Sequence, residues 1–161
     1  MKKILIFSLT YYPVKVGGAE RAIKDIIDRL PTDKYEFHLL CNRYDSTSLR
    51  KEKIGNVIVH RIGITTYKPE VADFRKLPLH LNKLLYQWLA LKVAKKLHKQ
   101  ENFAGIWAMM AHSTGVPAGQ FKKQFPEVKY LLTLQEGDPE THHGRGGVFG
   151  QVPRACPERP G

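Results

Sequence analysis

With 161 residues, the chain is long enough for one domain with its own core and short for two, since single domains commonly run to roughly 100–200 residues. A hydrophobic fraction of 42%, 25% charged residues and two cysteines exclude a wholly disordered chain, a collagen-like repeat and a disulfide framework. The formal net charge of +11 predicts attraction to an anion, be it nucleic acid, acidic lipid or a phosphorylated ligand, and does not choose among them.

Residues 1–9 place two lysines before an apolar run, the outline of a secretion signal. The run is short, however, and Thr10-Tyr11-Tyr12-Pro13 offers no small-residue cleavage site. No segment reaches the roughly 18 uncharged apolar residues that span a bilayer, so the chain reads as cytoplasmic, either soluble or peripheral to a membrane. Residues 4–9 have the continuous apolar character of a strand buried on both faces of a parallel sheet. In residues 19–30, Ala19, Ala22, Ile23, Ile26, Ile27 and Leu30 recur at helical spacing, and Pro31 ends the pattern.

Residues 35–41 and 57–62 form the second and third expected strands, joined by a polar connection over 42–55. Cys41 closes an apolar run and reads as a small core residue. Neither it nor Cys156 belongs to a zinc or redox spacing. After Pro78, residues 79–99 predict a long helix with Leu81, Leu84, Leu85, Trp88, Leu89, Leu91 and Leu97 as apolar positions and Lys83, Lys92, Lys95, Lys96 and Lys99 toward a polar side. Residues 106–110 then predict a strand, 116–125 a short helix and 128–134 a fifth strand. Alternation at this spacing implies right-handed crossovers and an α/β domain: a doubly wound, mainly parallel, Rossmann-like sheet with helices on both faces.

The expected domain covers residues 1–138. Residues 139–161, rich in Gly, Pro and Arg and without a period, are expected to be a disordered tail or one foreign to the domain.

In a doubly wound sheet ligands bind beyond the carboxyl ends of the strands, where strand order reverses. After the first strand, Gly17 and Gly18 open a helix. There, free backbone N–H groups and the positive end of the helix dipole suit a phosphate, though a pair of glycines also makes a plain tight turn. Neither the Gly-x-Gly-x-x-Gly fingerprint of dinucleotide sites nor the Gly-Lys-Ser/Thr ending of a P-loop is present. Glu20 fits a first-turn charge against the dipole. After the fourth strand come Ala111-His112-Ser113-Thr114-Gly115. His112 there can hydrogen-bond a sugar hydroxyl or a developing phosphate charge, or serve structurally, and Ser113 and Thr114 can cap the next helix. After the fifth strand, Gln135, Glu136 and Asp138 are candidates to bind hydroxyls, with a solvated turn as the alternative.

The stretch from Tyr12-Pro13 through Val16-Gly17-Gly18-Ala19-Glu20 resembles the opening loop of family-four glycosyltransferases, which adopt the GT-B fold of two facing Rossmann-like domains. The resemblance covers about residues 1–138. It implies that the chain is the N-terminal, acceptor-side half of a retaining glycosyltransferase that moves a sugar from a nucleotide-sugar donor to a glycan or lipid-linked hydroxyl without a metal cofactor. In such enzymes the glycine pair, here Gly17 and Gly18, lies against donor phosphates and acceptor. A histidine corresponding to His112 lies near the donor sugar, and the loop of Gln135, Glu136 and Asp138 lines the acceptor side. The family's glutamate pair and diphosphate-holding basic residues belong to a second domain and have no counterpart here, so the chain alone is expected to be inactive.

The lysines of the long helix are either an ordinary solvated face or, with Trp88, Tyr86, Arg75 and Lys76, a dock for an anionic membrane surface. A non-catalytic basic module for nucleotides or nucleic acid is the competing reading. No helix-turn-helix, zinc-ligand or RNA-stacking motif supports nucleic acid.

Overall fold

The middle strand is built from the first apolar run. In a computed structural model, which describes residues 1–13 and 17–134, β1 (Lys2–Phe7) pairs in parallel with β2 (Tyr35–Asn42) on one side and β5 (Gly105–Met109) on the other. β4 (Val57–Ile62) continues the sheet beyond β2, and β6 (Lys129–Thr133) lies beyond β5. Helices α1 (Gly18–Asp28), α2 (Leu81–Glu101) and α3 (Val116–Gln124) make the crossovers. The sheet is therefore doubly wound and Rossmann-like, as the strand and helix alternation implied.

A sixth strand, β3 (Lys51–Ile54), lies inside the expected polar connection and runs antiparallel to β4, giving the order β3-β4-β2-β1-β5-β6. Gly55, at φ 57°, turns the chain back toward β4. The strand Lys-Glu-Lys-Ile carries little apolar surface, but charged residues suit a sheet edge that must not pair with other chains.

Side chains of β1 alternate across the sheet. Leu5 and Phe7 join Tyr86, Ala90 and Ala94 of α2 and Ala118 and Phe121 of α3 on one face. Ile6 joins Ala19, Ile23 and Ile27 of α1 with Leu39, Val59 and Trp107 on the other. Burying a side chain the size of Ile23 or Ile27 contributes about 1.5–3 kcal/mol, and this two-sided burial is why β1 reads as continuously apolar. Cys41 is buried in the α1 layer, and burial pushes its thiol up to about 12.

Helix α2 departs from the expected orientation in its N-terminal half, while Leu91 and Leu97 further along do pack against the core. Its buried positions are Asn82, Tyr86, Ala90, Ala94 and His98, each four residues after the last, while Leu84 and Trp88 are 68% and 63% exposed. Two alanines at the centre let the helix backbone approach the sheet. Two polar residues end the stripe with their hydrogen bonds met: Asn82 Oδ1 accepts from Ile64 N at 2.6 Å, and His98 Nδ1 accepts from Phe103 N at 3.1 Å. Among the described residues no helix is long and apolar enough to cross a membrane.

Candidate functional site

Strand order reverses between β1 and β5, where one crossover leads toward β2 and another toward β6. The loops after these two strands leave neighbouring positions, since Phe7 pairs with Ala108 at the carboxyl end. Gly17 and Gly18 therefore share one edge of the sheet with His112. Gln135, Glu136 and Asp138 lie outside the described residues.

The loop after β1 is held from several directions. Ser8 N donates to Leu40 O at 3.0 Å, and Asn42 N donates to Leu9 O at 3.0 Å. The buried carboxylate of Glu20 bridges the two ends of the loop, accepting from Thr10 Oγ1 at 2.5 Å and from Gly17 N at 2.7 Å. Glu20 therefore acts as a clasp beyond its charge at the helix start. A Cβ at Gly17 would stand 2.9 Å from Glu20 Oε2, so a larger residue there would displace the carboxylate from the clasp. At Gly18 an added Cβ would meet nothing within 4 Å among the described residues. Packing thus constrains the first glycine and leaves the second open. Replacing Glu20 by Ala is expected to lower stability by about 1.5 kcal/mol and to speed hydrogen exchange at the Gly17 amide, because two hydrogen bonds to a carboxylate are lost. An unchanged Gly17 exchange rate, measured by NMR, would remove the clasp role.

The sequence reading missed Arg61 and Asn42. Arg61 lies in the expected strand over 57–62, and its side chain is nearly fully buried at the carboxyl edge. Its guanidinium donates to Tyr12 O at 2.9 Å, Leu49 O at 3.0 Å and Glu52 Oε2 at 2.7 Å, tying the first loop to the edge hairpin. Asn42 lines a small recess with Thr10, Tyr11, Tyr44, Ser48 and Arg61, and its buried Oδ1 has no hydrogen-bond partner among the described residues. The signal for Arg61 was an arginine inside a strand otherwise made of Val, Ile and His60, where an unpaired buried charge is not tolerated.

The loop after β5 is a wide helical turn, Ala111–Gly115, closed by Gly115 N donating to Met110 O at 3.0 Å and leading directly into α3. Ser113, Thr114 and Gly115 are buried, whereas His112 is exposed at the edge. Thr114 does not cap α3. Its hydroxyl donates back to the Met109 and Met110 carbonyls and closes the turn. Gln87 of α2 donates to the His112 carbonyl at 3.3 Å, so the N-terminal half of α2 adjoins the same edge.

A second polar cluster lies away from this edge, on the α2 side of the sheet. Lys3 Nζ contacts Glu101 Oε2 at 2.5 Å and Glu36 Oε1 at 3.4 Å. His38 Nε2 meets Glu36 Oε1 at 2.9 Å, and its Nδ1 lies 3.1 Å from His60 Nε2. Glu36, His38 and Glu101 bring ligand atoms within 4.8 Å of one another. The Lys3 ammonium already balances both carboxylates, which makes the cluster a closed ion network and a poor cation cradle.

No family model matches the chain, and no curated protein matches it by sequence. Its fold is similar to that of sucrose-phosphate synthase from Thermosynechococcus elongatus, with a TM-score of 0.54 at 16% identity over 83% of this chain and 33% of that one. A second structure of that synthase, a shorter chain, matches with a TM-score of 0.54 at 16% identity over 85% of this chain and 65% of its own length. The chain thus spans about a third of the first synthase chain, and at this identity the likeness is one of fold: the chain has the Rossmann-like architecture of a GT-B half-domain.

Proposed function

We propose that this chain is the acceptor-side half of a retaining glycosyltransferase whose full-length form moves a sugar from a nucleotide-sugar donor to a glycan or lipid-linked hydroxyl, and that the chain by itself is inactive. The observation that supports this reading is that the loops leading to Gly17-Gly18 and to His112 leave adjacent strands at the strand-order reversal of a GT-B-like half-domain. The amide end of α1 suits a donor phosphate, and Gly18 leaves its backbone approachable. His112 takes the role of a hydrogen-bonder to the sugar or to charge developing on the leaving phosphate. If Gln135, Glu136 and Asp138 continue that wall, they contact acceptor hydroxyls. No metal is assigned.

The test is nucleotide release from nucleotide sugars by the complete reading frame that contains this chain. Turnover is expected from the full-length protein and none from the 161-residue chain. In the full-length protein Gly18→Leu should lower turnover at least about tenfold with little change in melting, since its side chain would enter space left to a ligand. Turnover by the chain alone would overturn the division of labour, and full activity in Gly18→Leu would remove the phosphate site.

A further inference from the structure

The face of α2 turned away from the sheet is apolar at one end and basic at the other. Leu81, Leu84, Leu85 and Trp88 lie on the arc opposite the buried Asn82-to-His98 stripe, and Lys92 and Lys95 continue the same arc. Leu77, 74% exposed, extends the apolar end in the preceding turn. Neighbouring exposed side chains of this size make a contiguous apolar patch, which on a monomer's surface marks something that covers it. Tyr86, expected on this face, is instead fully buried and donates to Leu40 O at 3.0 Å.

Charge identifies the covering partner. No Asp or Glu occurs between Asp73 and Glu101, while Arg75, Lys76, Lys83, Lys92, Lys95, Lys96 and Lys99 all fall in that interval. Lys92 Nζ stands 5.1 Å above the Trp88 ring, so the change from apolar to basic takes place within one helical turn. A second copy of this chain would set lysines against lysines. The interior of another protein domain would bury them unpaired. An anionic bilayer meets both needs, taking leucine and tryptophan into the headgroup boundary while lysines stay at the phosphates.

We propose that the outer face of α2 docks on an anionic lipid surface, with Leu84 and Trp88 inserted and Lys92, Lys95 and Lys96 at the headgroups. The inference goes beyond sugar transfer and does not depend on it. Because Gln87 touches the His112 turn, a bilayer held there lies beside the candidate site, which suits a hydroxyl presented from lipid.

The experiment is flotation of the chain with phosphatidylcholine vesicles, either neutral or containing about one third phosphatidylglycerol, with tryptophan emission recorded in parallel. Binding is expected to the anionic vesicles only, to weaken as salt rises, and to shift emission to the blue through Trp88, since Trp107 is already buried. Replacing Lys92, Lys95 and Lys96 together by Glu should weaken binding at least about tenfold. Leu84→Gln with Trp88→Gln should abolish the spectral shift, and these exposed changes are checked for an unaltered melting curve. The pair of glutamine variants stands alone as the test if the triple variant does not fold. No binding to anionic vesicles, equal binding to neutral ones, an unshifted spectrum in the bound state, or a dimer in solution that the glutamine pair dissolves would each overturn the proposal.

Discussion

Ala94→Leu should lower stability by about 2–3 kcal/mol, whereas Leu84→Gln on the same helix should change it by no more than about 0.5 kcal/mol. Ala94 is fully buried between α2 and the sheet among Leu5, Phe7 and Ile106, and three added heavy atoms would push the helix off that surface. Leu84 is 68% exposed, and glutamine retains good helix propensity. Thermal or urea unfolding of the two variants decides the matter. For a domain of this size the alanine change corresponds to a melting shift of roughly 4–12 °C. The ordinary expectation, that exchanging an alanine for leucine inside a leucine-rich helix is harmless and removing a leucine costs more, gives the opposite ranking. If that opposite ranking is measured, α2 packs on its leucine face and the docking surface does not exist.

This inversion also explains where the sequence was readable. Helix α1 could be oriented because its charges and its isoleucines fall on opposite sides, so Ile23 and Ile27 point inward as their spacing implies. Even there Ile26, counted among the apolar positions, stands outside. In α2 apolar residues occur all round the helix, and the buried stripe begins with an asparagine and ends with a histidine. Hydrophobicity could not identify that face, because what selects it is size: alanines where the helix meets the sheet, and polar groups only where a backbone partner waits. Strand β3 was missed for a related reason, since Lys51 to Ile54 owe their conformation to pairing with β4 rather than to their own preference.

The candidate site divides in the same way. The loops after β1 and β5 could be expected at one edge from sequence because parallel strands present their carboxyl ends on the same side. That they are neighbours there follows from the strand order of the folded sheet, which alternation does not fix. The parts that depend on tertiary distance could not be seen. Glu20 is ten residues from Thr10, and Arg61 is 49 residues from the Tyr12 carbonyl it holds. A first-turn glutamate and a strand arginine each have an adequate local explanation, and only the folded chain shows that both grip one loop. Two buried charged side chains thus hold Thr10, Tyr12 and Gly17, the described ends of the first loop. Gly18 opens α1, with no described atom within 4 Å of an added Cβ.

Acidification from pH 7 to pH 5 should cost the protein about 2 kcal/mol through His60 alone. Burial, reinforced by His38 and Lys51, lowers its pKa from the ordinary 6.5 to about 4. Between those values the unfolded chain binds a proton at this position that the folded chain does not, so stability rises with pH across the interval and is lost as pH falls through it. At 1.36 kcal/mol per unit, the part of the interval between pH 5 and 6.5 accounts for the figure. Glu36 and Glu101 face the same cluster and are held below the usual carboxylate range, Glu36 chiefly by its hydrogen bond to His38 and Glu101 by that to Lys3. Their stabilisation is present above the unfolded value of 4.5 and is lost only as pH falls through their still lower folded values, which leaves the window above pH 5 to histidine. The His60→Gln variant keeps a hydrogen-bonding group opposite His38 without the titration, so the pH 7 to pH 5 loss in urea unfolding should shrink by about 2 kcal/mol. Equal losses in parent and variant would mean that His60 takes up its proton in the folded state near its ordinary pKa. The His38–His60 contact would then have to open to water without unfolding the sheet, and the ion network around Lys3 would be a surface feature and not part of the core.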